Sequence, residues 1–266
     1  MEPLAHVAIA RTGRTATVTM RRPEVHNAFS DDVVRELTIA FRTLGTDESV
    51  RAIVLAGEGK SFSAGADLNW MRRMIDYSRE DNLRDAADLA AMFRSIERCP
   101  KPVIARVQGS ALGGGAGLVA AADIAIAEES TRFAFSEVRL GIIPAVISPM
   151  VLAKIGGGAA RRYFLTGERF DAQRALQIGL VSQVVASADL DAAVQRVVDD
   201  LLLAGPEAVR AAKELVFAVT RETDPTAQDR LTAARIAERR AASEGQEGMR
   251  AFLEKRTPNW IEGGNS

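Results

Sequence analysis

Two short runs, RAIVLAG (residues 51–57) and KPVIARVQG (residues 101–109), constrain what this chain can fold into more than anything else in it. Each is an apolar, β-branched stretch, too short for a helix and closed by glycine. Between them Leu83, Ala86, Ala90, Phe93 and Glu97 recur at helical spacing. Buried strands joined by a crossover helix make an α/β unit with parallel pairing, covered on both faces. The same alternation begins earlier. Ala16, Val18 and Met20 alternate with Thr15, Thr17 and Thr19, as a half-buried strand requires. Ser30, followed by Asp31 and Asp32, predicts a capped helix carrying Val33, Leu37, Ala40, Phe41 and Leu44. ADIAIAEE and RFAFSE predict further short strands.

From about Asp189 the strands stop and helices follow, with loop signals at Gly205-Pro206, Asp224-Pro225 and Glu244-Gly245. Val209, Ala212, Val216 and Phe217 form one apolar stripe with Lys213 snorkelling at its border. Leu231, Ala234, Ala237 and Ala241 form a thin second one. Such helices need a partner surface, on the α/β unit or on another subunit.

At 266 residues and 47% hydrophobic content the chain has enough material for a sizeable core. Lys and Arg number 34 against 35 Asp and Glu, so no basic field points to nucleic acid. One cysteine (Cys99) and two histidines (His6, His26) leave neither a disulfide nor a His/Cys metal cluster, and fit a reducing, cytoplasmic home. No apolar run approaches the roughly 20 residues of a membrane span, and the start MEPLAHVAIA does not read as a secretory signal.

Chemistry concentrates in SFSAGADL (61–68), VQGSALGGGAGL (107–118) and FAFSEVRLGIIPA (133–145), each following a predicted strand, where α/β proteins bind ligands. Gly113, Gly114 and Gly115 lead into an alanine-rich helix. They either present free N–H groups to an oxygen that becomes negative, or form a tight packing turn. The 61–68 segment either supplies a second N–H or is a turn with Asp67 as a helix cap. Glu137 is the acid/base candidate by elimination, set among Phe133, Phe135, Val138 and Leu140, and its alternative is a solvated surface carboxylate. No nucleophile elbow competes.

FSAGADL, then GGG, then EVRLGIIP, in this order and along essentially the whole chain from RRPEVHNAFS to EGMRAFLEKR, resemble the enoyl-CoA hydratase/isomerase (crotonase) family. The resemblance implies a spiral of ββα turns over residues 1–200 with the acyl-CoA site, and a C-terminal helical region, 201–266, that makes homotrimers or dimers of trimers. It implies an acyl-CoA thioester as substrate and no cofactor beyond its own coenzyme A, while composition and the lack of a long apolar run already point away from nucleic-acid and membrane partners. By the same resemblance the N–H groups of Ala66 and Gly114 bind the thioester oxygen and Glu137 moves the proton. CoA runs along Glu24, Val25, His26, Ala28, Ser63, Ala64, Gly65, Asp67, Leu68 and Gly113, and Lys255 reaches the nucleotide phosphates from a neighbouring subunit or is plain surface charge.

Family hydratases commonly carry a second glutamate where this chain has Gly117. That departure leaves three activities in play: hydration of the 2,3 double bond, Δ3,Δ2-isomerisation, and acyl-CoA binding without turnover. Longer stretches (FSAGADLNWM, EVRLGIIPAVISP) are similar to bacterial methylglutaconyl-CoA hydratase-like members, which favours hydration. Arg72, Arg73 and Arg139 are candidates for a distal substrate carboxylate or ordinary solvated charges. Trp70, Met71, Met74, Ile143 and Val146 are candidates for acyl-pocket wall or core.

Overall fold

The computed structural model describes residues 4–261. The outermost ends of the two expected regions, 1–3 and 262–266, lie outside the described residues. A six-stranded sheet runs in the order β1 (Val7–Thr12), β2 (Thr15–Met20), β3 (Ala52–Gly57), β4 (Val103–Val107), β6 (Ile124–Glu128) and β9 (Gln183–Val185). Only the β1–β2 hairpin is antiparallel. The apolar run of β3, and that of β4 up to Arg106, follow from burial on both faces. Ile53, Leu55, Val103 and Ala105 enter one core, while Val54 and Ile104 enter a second with Leu190, Ala193, Val194 and Val198.

The first core lies under α1 (Asp31–Thr46), α3 (Arg79–Glu97), α4 (Gly114–Ala121) and α5 (Ser148–Thr166), and the second under α7 (Leu190–Leu203). Helix α1 starts where expected, with the Ser30 hydroxyl accepting from the Val33 N–H at 3.4 Å. Its buried Glu36 accepts from the N–H groups of Ala5, His6 and Val7 and so ties down the N-terminal strand. The short α2 (Leu68–Met74) connects the β3 loop to α3.

The RFAFSE strand is real but only three residues long. β7 (Arg132–Ala134) pairs with β5 (Ser110–Leu112) and β8 (Phe170–Asp171) in a small second sheet, with α6 (Ala172–Gln177) following. This mixed α/β architecture is consistent with the crotonase spiral. The expected boundary at 200 falls inside α7. Beyond it stand α8 (Pro206–Arg221), α9 (Pro225–Ala241) and α10 (Ser243–Glu254), with Pro206 and Pro225 in first turns as predicted.

Two expectations need correction. Glu244-Gly245 is not a loop but the first turn of α10, and the Glu244 carboxylate caps α8 by accepting from the Glu207 and Ala208 N–H groups. Lys213 does not snorkel. Its ammonium reaches inward to Asp123, 2.7 Å away, because Asp123 is otherwise a largely buried carboxylate that, among the described residues, accepts only from the Val103 N–H. On the far side Arg51, 8% exposed, donates to the carbonyls of Leu202 and Ala204 at the end of α7 and to that of Trp260. Among the described residues no helix is long and apolar enough to cross a membrane.

Candidate active site

The three segments singled out in the sequence meet. Ser63 bridges to Ala111, its N–H donating to Ser110 O and its carbonyl accepting from Leu112 N–H, both at 3.0 Å. The 61–67 loop therefore lies along β5 and the glycine run. The packing there is too close for side chains. A Cβ on Gly65 would sit 2.8 Å from Leu112 O and 3.6 Å from Gly114 N, one on Gly114 would sit 2.6 Å from Phe29 Cε2, and one on Gly115 would collide with Ser63 O. Gly113 has φ +51° and ψ −120° just before α4, a backbone state that L side chains rarely adopt.

This packing leaves two backbone donors unused. Phe29 N–H donates to Gly65 O at 2.6 Å and Asp67 N–H to Phe29 O at 2.8 Å, a one-residue parallel bridge that turns the Ala66 N–H to the opposite side. Gly114 opens α4, where first-turn N–H groups have no helical acceptor. Among the described residues neither N–H has a hydrogen-bond partner. Such a pair can stabilise an oxygen that gains negative charge, aided by the positive end of α4.

Glu137 opens a 3₁₀ turn, Glu137–Leu140, behind β7. Its Oε1 lies 3.3 Å from where a Gly113 Cβ would be, beside the Gly114 donor. Its Oε2 is buried and, among the described residues, has no hydrogen-bond partner. Burial holds the carboxyl above the ordinary glutamate range, with a backbone hydrogen bond opposing this more weakly. A carboxylate of raised pKa beside two directed N–H groups can take a proton from one atom and give it to another.

Gly117 lies one helical turn from Gly113, on the same face. A Cβ there would stand 3.0 Å from Phe93 Cε1 and closer still to Ile147 Cγ2. The place of a second carboxylate is filled by apolar atoms, so the chain has neither that group nor room for it.

The proposed CoA-side residues are partly gathered. Pro23–Val25, which includes Glu24, is a 3₁₀ turn ending at His26. His26 O accepts from the Ala64 N–H, and His26 Nδ1 lies 3.1 Å from Ser61 Oγ. Ala28 and Ser63 are buried, and Leu68 is 71% exposed. Asp67 is a cap, as one reading allowed. Its Oδ1 accepts from Asn69 N–H and its Oδ2 pairs with Arg22 at 2.7 Å, so both oxygens are engaged within the protein. Lys255 caps the end of α10 in the left-handed region, exposed. Arg72 turns to Asn69 and Arg73 to Asp31, whereas Arg139 is exposed two residues past Glu137. Trp70 is core, its indole N–H donating to Asp85, while Ile143 is 70% exposed. A cleft of about 780 Å³ lies elsewhere, on the outer sheet face between Arg14, Arg106, Asp191 and Trp260, and none of the candidate residues line it.

The sequence reading missed Arg22, Asn27 and Phe29. Asn27, buried and left-handed, accepts from Arg22 N–H and donates to the Glu58 and Ser61 carbonyls, holding the 57–65 loop. Nothing in NAFS announces this, because every partner but Arg22 is more than thirty residues away.

The family profile for enoyl-CoA hydratase/isomerase matches residues 11–263. The chain belongs to that family. It is 35% identical to the short-chain-enoyl-CoA hydratase of Clostridium acetobutylicum over 80% of this chain and 81% of the relative. It is 33% identical to the crotonyl-CoA hydratase of Syntrophomonas wolfei over 96% and 98%. The crystal structure of an enoyl-CoA hydratase from Shewanella pealeana superposes with a TM-score of 0.94 at 42% identity, covering 97% of this chain and 96% of that one. An acyl-CoA thioester as substrate class is consistent with that membership.

Proposed function

We propose that the protein adds water across the 2,3 double bond of an enoyl-CoA thioester, with Glu137 as its single acid/base and the Ala66 and Gly114 N–H groups receiving the thioester oxygen. The observation that carries this is the buried Oε2 of Glu137, without a hydrogen-bond partner among the described residues, on a carboxylate that abuts Gly113 next to the Gly114 donor. Water gives a proton to Glu137 as its oxygen bonds to Cβ. The electron pair of the double bond moves to the thioester oxygen, and Glu137 returns the proton to Cα as that charge collapses. Proton transfer and charge stabilisation are all the reaction asks, so coenzyme A enters only as part of the substrate. Relatives named for hydration of crotonyl-CoA and of short-chain enoyl-CoA support the reading.

Within that class the finer candidate is 3-methylglutaconyl-CoA, supported by the likeness of the FSAGADLNWM and EVRLGIIPAVISP stretches to methylglutaconyl-CoA hydratase-like members. A second reading, Δ3,Δ2-isomerisation, is favoured by Gly117. One carboxylate suffices to carry a proton between Cα and Cγ, and Ile147 leaves no room for another. We also assign the C-terminal helices to homotrimers, single or paired, with Lys255 reaching a neighbour's CoA phosphates. Incubation with 3-methylglutaconyl-CoA, crotonyl-CoA and a 3-enoyl-CoA, read by mass spectrometry, separates the readings. Gain of one water by a 2-enoyl thioester is expected. A mass-neutral shift of the 3-enoyl thioester alone selects isomerisation, and binding without turnover across the panel rejects catalysis.

A further inference from the structure

The two N–H donors come from loops about fifty residues apart in the chain, and one side chain touches the supports of both. The backbone of Phe29 holds Gly65 and Asp67, the residues on either side of the Ala66 donor. Its ring lies against the Cα of Gly114, so closely that a methyl there would stand 2.6 Å from Cε2 and 3.1 Å from Cδ2. The residue is 1% exposed, and its ring packs on Phe93, centroids 6.3 Å apart, which in turn packs on Gly117. A single Arg22 guanidinium clamps the same junction, donating to Ala28 O at 2.8 Å and to Asp67 Oδ2 at 2.7 Å.

We infer that Phe29 is a positioning residue that sets the separation of the two donors, its backbone fixing one and its ring the other. This rests on the proposed role of the Ala66 and Gly114 N–H groups. Phe29 touches no reacting atom. It acts through the spacing of the donors, and charge stabilisation of this kind depends on donors lying where the oxyanion forms. Shortening the side chain lets α4 settle toward the 28–29 segment, which spoils that spacing while leaving both N–H groups in place.

The test is a double-mutant cycle of Phe29→Ala and Gly114→Ala, since alanine at 114 keeps its N–H and adds the methyl that the ring excludes. Losing one oxyanion donor typically costs about 100- to 1000-fold in kcat, so partial misplacement in Phe29→Ala is expected to cost about tenfold with KM changed less than about threefold. Gly114→Ala alone is expected to cost more than about 100-fold, and much less in the Phe29→Ala background, because the two changes share one space. The enolate absorbance of bound acetoacetyl-CoA gives a second readout that does not depend on which reaction the enzyme performs. It is expected to be present in the wild type and weakened in Phe29→Ala at saturating ligand.

A folded Phe29→Ala enzyme with wild-type kcat and enolate band, or additive effects of the two substitutions, overturns the inference. No enolate band in the wild type overturns instead the donor-pair reading beneath it. A wild type with the band but no hydratase turnover overturns only the proposed reaction. If Phe29→Ala fails to fold, the cycle with Phe29→Leu decides, with the same coupling expected at smaller size.

Discussion

At Glu137 the protein keeps a carboxylate where solvation is poor and where, among the described residues, one of its oxygens has no partner. Stability and chemistry are opposed there. A carboxyl whose pKa rises on folding binds more protons folded than unfolded, so stability falls as pH climbs from the usual glutamate value through the raised one. Glu137→Gln is therefore expected to melt above the wild type at pH 7, with the gap closing below pH 4, while hydration falls by at least about 100-fold, the scale of a general acid/base contribution. Thermal melts at several pH values, paired with rates, check both; a lower melting temperature at neutral pH would refute it. The candidacy of Glu137 was legible because few titratable residues stand among so many apolar ones. The clamp of Arg22, Asn27 and Phe29 was not, because its meaning lies in contacts with residues 58 to 67. Gly117 was noticed as an anomaly, but only the structure supplies Ile147 as the occupant of its side-chain space.

Among the elements, those with a full period and a local cap were readable: α1 from Ser30, and β3 and β4 from their double burial. Of the second sheet only the RFAFSE strand was, since β5 and β8, of three and two residues, are too short to show a period. Nor could Glu244 be seen as the cap of α8, because that cap arrives from 36 residues downstream. Helix α4 is held by space. Gly117→Ala is expected to destabilise by about 1–3 kcal/mol through overpacking, despite the better helix propensity of alanine. In an Ile147→Ala background, the same change should cost little in urea unfolding; an equal cost in both would discard the steric account. Helix α8 is held by charge. Lys213→Met leaves Asp123 without its ammonium, at a cost of about 2–4 kcal/mol, moderated because the Asp123 side chain is 24% exposed. Burial already raises the Asp123 pKa, with Lys213 opposing, so the loss should be largest at alkaline pH and shrink as acid protonates the carboxyl. A pH-independent loss in denaturant titrations would count against this.

Over the whole molecule the C-terminal helices contrast with the core. No residue of α8 or α9 is buried, and Val216, Ile236, Met249, Phe252 and Leu253 are exposed, Phe252 at 84%. Ala234 and Ala237, expected to pack on the core or on another subunit, are exposed within the chain as well. Apolar surface left this open on a folded unit is what the face of the proposed homotrimers would present. Sedimentation at micromolar concentration should give a species of several chains, and Phe252→Glu with Leu253→Lys should shift it toward the monomer while leaving the far-UV circular dichroism unchanged. A monomeric wild type would remove the face from consideration. Arg51 bears on how such a molecule comes into being. Its carbonyl partners stand 150 to 209 residues further along. Contacts that span so much of the chain can close only after α7 and Trp260 have looped back to β3, so they belong to the non-local part of folding. β3 is a central strand, so what waits for that closure is the middle of the sheet and not its edge.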